Sequence, residues 1–123
     1  MLHNGYIKLD TLLPNLYNRT KLLHFCLIVV TFEPRCRNNW HIHHKAVQVL
    51  ICVSGRGWYQ EWGKAPVEMT PGTVIAIPAE VKHWHGAQKD SWFQHLTYHK
   101  DVQEDASNEW CESVADEVYD TLK

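Results

Sequence analysis

Between residues 22 and 98, apolar and polar positions alternate in short bursts, and turn-forming residues separate the bursts. Successive side chains of a strand point to opposite faces, so bursts rich in Val, Ile, Thr and aromatics predict β-strands. They fall at about 22–32, 39–43, 47–53, 57–62, 73–77, 82–86 and 92–98. Ser54-Gly55-Arg56-Gly57 reads as a hairpin tip, and Thr70-Pro71-Gly72-Thr73 places Pro and Gly at the two central positions of a type II turn. Closely spaced strands with such turns predict an all-β sandwich or barrel. The C-terminus differs in kind. Trp110, Val114 and Val118 repeat at helical spacing, as do Val118 and Leu122, and Ser113 with Asp116 resembles a capping box. One short helix is therefore expected over about 113–121, packed on the outside of the barrel. Residues 1–20 show no clear period and either wrap the barrel or pair with a partner chain. The expected organisation is a single domain, with an N-terminal arm over 1–21, the barrel over 22–98 and a C-terminal segment over 99–123.

The 123 residues suit one domain with a workable core. A net charge of -2 argues against an electrostatic grip on nucleic acid or on an anionic membrane. Residues 101–123 carry eight of the fourteen acids and one of the twelve basic residues, which reads as a solvated face. The four cysteines, Cys26, Cys36, Cys52 and Cys111, form no C-x-x-C pair and suggest neither a zinc finger nor a disulfide framework. With no signal-peptide pattern, a reducing cytoplasm is the expected setting. The longest apolar stretch, 22–30, is too short to span a bilayer and contains His24.

Nine histidines and six tryptophans change the picture more. Histidine is the commonest metal ligand and the usual acid–base group near neutral pH. In Trp40-His41-Ile42-His43-His44, strand geometry sends His41 and His43 to one face and Ile42 and His44 to the other. Two imidazoles at that spacing can share one ion. His83-Trp84-His85 repeats the spacing, and a third nitrogen from a second strand would complete a facial set with open positions. Gln48, at the start of the next strand, could add a neutral oxygen ligand and leave the ion's positive charge largely intact for Lewis-acid work. Phe93, His95 and Thr97 share one strand face. Cys52 shares a face with Gln48 and Leu50 and is read as core. Trp40, Trp58, Trp62, Trp84 and Trp92 either wall a ligand pocket or serve as core and dimer contacts. His3 and His24 are read as histidines with no chemical task.

Read in order, His41-x-His43, Gln48 and Gly55 resemble the first conserved motif of the cupin superfamily, and Gly72, Pro78 and His83 resemble the second. Thr31-Phe32-Glu33-Pro34, Gly55-Arg56-Gly57-Trp58, the 82–87 segment and Asn108-Glu109-Trp110 are similar to one subgroup. It comprises the small cupins associated with carboxymuconolactone decarboxylase-like proteins and the manganese-dependent cupin hydroxynitrile lyases. The resemblance covers about 28–120 and implies a jelly-roll barrel, metal ligands at His41, His43, Gln48 and His83, and pocket histidines at His85 and His95. Either of the last two relays a proton or, for His85, orients a ligand; His95 is otherwise a satisfied buried histidine. The chain departs from the family in four places. Gln48 stands where Glu is commoner, and 44–47 lacks the glycines of many relatives, which bears on the register of Gln48 and so on its ligand role; because His44 directly follows His43, a slip could also exchange those two. Arg35 and Glu80 stand where relatives have Gly. A positive φ there would cost on the order of 1 kcal/mol each, and the turns are expected to have adjusted instead. Glu80 is either an extra ligand or a solvated carboxylate.

Three functions follow. The first is an enzyme using one divalent Mn, Fe, Ni, Co, Cu or Zn ion as Lewis acid on a small organic substrate, in lyase, isomerase or decarboxylation-related chemistry, or as a dioxygenase with Fe(II). The second is a non-catalytic binder of a small ligand. The third is an accessory subunit of a decarboxylase-like partner. A homodimer is expected because small barrels leave strand edges that need cover.

Overall fold

The computed structural model describes residues 2–8 and 26–123. The expectations for 9–25, His24 among them, and for the side chain of His3 lie outside the described residues. Ten strands fall within the described residues: β1 (Leu2–Lys8), β2 (Cys26–Phe32), β3 (His41–His44), β4 (Val47–Gly55), β5 (Gly57–Glu61), β6 (Val67–Met69), β7 (Val74–Ile77), β8 (His83–Ala87), β9 (Phe93–Lys100) and β10 (Ser107–Trp110). They form two five-stranded antiparallel sheets, ordered β1-β2-β9-β4-β7 and β10-β3-β8-β5-β6. This is the expected all-β jelly roll, and successive strands repeatedly change sheet. The one helix among the described residues is α1 (Asp116–Tyr119), which follows β10. None of the described helices is long and apolar enough to cross a membrane.

The period-two pattern decides what each face carries. Val30, Phe32, Leu50, Cys52, Tyr59, Met69, Ile77, Ala87 and Phe93 meet between the sheets. The alternate positions Trp40, Trp58 and Trp84 point out of the second sheet, where Val114 and Tyr119 of the C-terminal segment cover them. The Tyr119 hydroxyl donates to the Ala87 carbonyl at 2.6 Å, and the Arg37 guanidinium lies 4.0 Å from the Tyr119 ring centroid. The segment thus packs outside the barrel, as expected. Its helix is shorter than the expected 113–121, and Trp110, which shared the helical spacing, pairs with His41 in β10 instead. Ala115, with no side-chain cap, precedes the first turn, so the Ser113–Asp116 capping box does not form.

Two local readings are corrected. Ser54-Gly55-Arg56-Gly57 is a passage between sheets: β4 pairs with β7 and β9, whereas β5 pairs with β6 and β8. The turns at Arg35 and Glu80 have not adjusted, since both residues hold positive φ, 73° and 71°. Their side chains are engaged. Arg35 bonds Asp120 at 2.9 Å, and a Glu80 oxygen accepts the Lys45 amide at 2.8 Å. The type II turn stands: Gly72 has φ 95° and the Thr73 amide donates to the Thr70 carbonyl at 2.9 Å. The sheets also extend beyond the expected barrel limits of 22–98, because β1 pairs along β2 and β10 along β3.

Gly55 makes the sheet change possible. Its φ is 72°, and a Cβ there would stand 1.7 Å from the Trp92 carbonyl oxygen. Backbone, not a flexible side chain, would have to yield. Gly55→Ala is expected to destabilise the fold by about 3 kcal/mol, from steric overlap and left-handed strain together. At this chain length that lowers Tm by roughly 10 °C. A thermal melt within 2–3 °C of the parent would disprove the account.

Candidate metal centre

Strand register brings the imidazoles together. His41 and His83 are direct neighbours across β3 and β8, and their ring centroids lie 4.2 Å apart. His43, two residues along β3, is 5.0 Å from His41 and 5.4 Å from His83. His85, two residues along β8, is 5.7 Å from His41. All four are buried. Gln48 reaches them from β4 in the opposite sheet. Its Nε2 donates to Thr97 Oγ1 at 3.1 Å, which turns Oε1 toward the rings. His44 points the other way. It bonds Glu80 and Glu109 on the outer side, so His43 and His44 keep the roles that alternation gives them. Glu80 is a partner of His44 and faces away from the inward rings.

The hydrogen bonds specify the tautomers. His41 Nδ1–H donates to the Asn39 carbonyl at 2.8 Å, His83 Nδ1–H to the Val81 carbonyl at 2.8 Å, and His43 Nδ1–H to Asn108 Oδ1 at 2.6 Å. Each ring therefore presents an Nε2 lone pair inward. His43 Nε2 and His83 Nε2 lie 2.9 and 3.2 Å from Gln48 Oε1. Three acceptors converge there with no proton among them. That is repulsive unless a cation sits between them. Ligands about 2.1 Å from an ion and at right angles to each other are about 3.0 Å apart, which matches this spacing. The donor atoms of His41, His83 and His85 also lie within 4.8 Å of one another. The residues present thus suit a divalent transition metal, and His85 stands closer to that position than a remote pocket histidine would.

Burial favours the neutral form of His41, His83 and His85, the form that binds metal. It lowers His41 to about 4 and His83 to about 3, the latter assisted by His41. His85 is lowered mainly by burial and next by His95. His95 is lowered by burial to about 4. Its Nδ1–H donates to the Leu96 carbonyl at 3.1 Å, and its Nε2 is buried without a partner. His85 and His95 meet edge to face at 4.9 Å. The Asn38 side chain brackets His85, donating Nδ2–H to ring Nε2 at 3.1 Å and accepting the His85 amide at 3.0 Å.

His99, which the sequence reading passed over, belongs to this group. It continues the Phe93–His95–Thr97 face by one more step and lies 4.6 Å from His43. Its Nε2 is buried and unpartnered, and burial, then His43, lowers it to about 4. Of the tryptophans expected to wall a pocket, Trp40, Trp58 and Trp84 belong to the outer cluster, while Trp62 and Trp92 are exposed. The indole beside the imidazoles is Trp110, 4.9 Å from His41.

A pH dependence follows. His41, His83, His95 and His99 all titrate below 6.5 when folded. The unfolded chain therefore binds more protons than the folded one between about pH 4 and 6.5. The stability contributed by keeping these rings neutral is complete above pH 6.5 and is lost as pH falls. Chelator-treated protein should show a clearly lower urea midpoint at pH 5.0 than at pH 7.5. Equal midpoints would contradict the burial of these rings.

Comparison with known proteins gives a consistent picture. A family model described as the cupin domain matches residues 28–94. An (R)-mandelonitrile lyase of Granulicella tundricola is 41% identical over 90 residues, covering 73% of this chain and 67% of that protein. The crystal structure of a cupin-like protein from Thermotoga maritima superposes with a TM-score of 0.81 at 32% identity, covering 98% of this chain and 83% of that one. A DMSP lyase from Ruegeria pomeroyi has a TM-score of 0.63 at 16% identity, covering 75% of this chain and 45% of that one, a likeness of fold alone.

Proposed function

The chain belongs to the cupin family, and on that footing we propose that it is a metal-dependent lyase that cleaves small α-hydroxy substrates of the cyanohydrin type. The observation that carries this reading is the convergence of bare Nε2 lone pairs on Gln48 Oε1, beside a second, unpartnered base at His95. The (R)-mandelonitrile lyase relative supports the choice of substrate class.

His41, His43, Gln48 and His83 would hold the ion, with His85 alongside. When bound, it supplies Lewis-acid polarisation of a substrate oxygen or nitrogen. The protein's own residues do the rest. Thr97 keeps the Gln48 oxygen turned inward. Asn38 fixes the His85 ring. His95 Nε2 accepts the substrate hydroxyl proton, because Nδ1 already carries the ring's hydrogen and donates it to Leu96. The hydroxyl oxygen's electron pair then forms the carbonyl. The bond to the nitrile carbon breaks, its electron pair leaves with cyanide, and the proton held on His95 passes to cyanide to give HCN. Atoms and charge balance as aldehyde plus HCN.

Purified without chelator, the protein should carry about one transition metal ion per chain and release benzaldehyde from mandelonitrile. Chelation should remove both properties, and adding metal back should restore both. Metal retained with no turnover of any cyanohydrin would overturn the lyase and leave a ligand-binding module.

A further inference from the structure

Most of the inward-facing imidazole patch is sealed. His41, His43, His83 and His85 are all buried. Trp110, at the edge of this face, is exposed. It stands opposite His41 in the β10–β3 register, two residues after Asn108, which stands opposite His43. Alternation places Trp110 and Asn108 on the same face, and the bond from His43 to Asn108 Oδ1 shows that this face is the one bearing the imidazoles. The indole lies 4.9 Å from the His41 ring at an interplanar angle of 38°, yet 63% of Trp110 remains exposed. Among the described residues it is the exposed aromatic side chain whose ring meets the histidine cluster. The other two exposed tryptophans, Trp62 and Trp92, lie elsewhere: Trp62 packs on Trp40 of the outer face at 4.9 Å, and Trp92 directly precedes β9.

β10 has β3 as its partner at one end of its sheet, so the indole forms a rim rather than a floor. A flat apolar surface at the rim of a polar, acceptor-lined centre is what a substrate with one polar end and one planar end requires. Aromatic pairs at such distances add attraction beyond simple area burial. We propose that Trp110 is a specificity-determining residue, stacking the planar substituent of a substrate whose hydroxyl-bearing carbon reaches the histidine cluster, so that the site prefers aryl over alkyl α-hydroxy compounds. This rests on the functional reading above for the position of the reacting carbon, but not for the preference itself.

The test uses metal-loaded protein and the variants W110A and W110F. Calorimetric binding of mandelate and lactate, two unreactive α-hydroxy acids differing in aryl against methyl, reads the preference without turnover. Wild type should bind mandelate more tightly, and the mandelate-to-lactate ratio should fall roughly 3- to 10-fold in W110A, with W110F intermediate and metal content unchanged in both. In parallel, kcat/KM for mandelonitrile against lactonitrile should lose a similar factor, mainly in the aryl substrate. A ratio unchanged in W110A overturns the assignment. So does a loss of metal in W110A that W110F restores with no change of ratio, since Trp110 would then only support His41. If wild type turns over neither nitrile, the lyase reading falls, and the two acids still decide the role of Trp110.

Discussion

His83→Ala should empty the metal centre: metal content is expected to fall from about one ion to less than about a tenth of an ion per chain, and turnover with it. His83 is completely buried. Its ring is oriented by the bond to the Val81 carbonyl, its neighbour across the sheet is His41, and its Nε2 faces Gln48. Loss of an outer partner of a metal ligand costs 10- to 100-fold in affinity, so if His83 holds the proposed ion, loss of its nitrogen should cost at least about 100-fold. The cavity left by the ring adds a stability cost of about 2–3 kcal/mol, so the variant's far-ultraviolet circular dichroism must match the parent before its metal content is read. The informative control is His44→Ala. It sits beside His43 in sequence but on the other face, where it joins Glu80 and Glu109. It should keep its metal. Metal retained in His83→Ala, or lost equally in both, would refute the geometry from which the centre is built.

The contrast between His43 and His44 also shows what the sequence could reveal. Strand periodicity is a local property, so H-x-H at 41–43 and 83–85 and the polar–apolar alternation of 47–53 and 93–98 located the strands and their inward residues. Extending the His95 face by one step would have found His99. Other features depend on partners distant in sequence. Nothing in Ser54-Gly55-Arg56-Gly57 distinguishes a hairpin from a passage between sheets; the steric demand comes from the Trp92 carbonyl above Gly55. Trp110 satisfied a helical spacing with Val114 and Val118, but pairing with His41 outweighed it. Arg35 and Glu80 keep unfavourable positive φ because their side chains find partners in Asp120, His44 and Lys45. Each partner lies far away in sequence or depends on the turn already being made. The orientation of the Gln48 oxygen toward the rings likewise depends on a distant partner, Thr97 of the neighbouring strand, which holds the amide nitrogen.

His95→Ala, with its metal retained, should lower kcat for cyanohydrin cleavage by about 10²- to 10⁴-fold, the range for loss of a positioned base. KM should change little, because the ring contributes a proton acceptor rather than a binding surface. Three histidines compete for this role: His99, whose Nε2 is also buried and bare, stands beside His43, and hydrogen bonds separate the other two. His85 already receives an N–H from Asn38, and its donor atom groups with those of His41 and His83. It is placed to orient the groups of the centre rather than to take the proton. His95 has one nitrogen committed to Leu96 and the other bare and buried, an arrangement that leaves a desolvated acceptor unsatisfied until a hydroxyl arrives. Burial also holds its pKa at about 4, so the ring remains an acceptor throughout the neutral range and kcat should not decline through His95 protonation until the pH approaches that value. His85→Ala should instead lose metal affinity along with turnover. If His95→Ala keeps both its metal and a kcat within threefold of the parent, the proton leaves by another route and the lone pair of His95 is only a cost of packing the core.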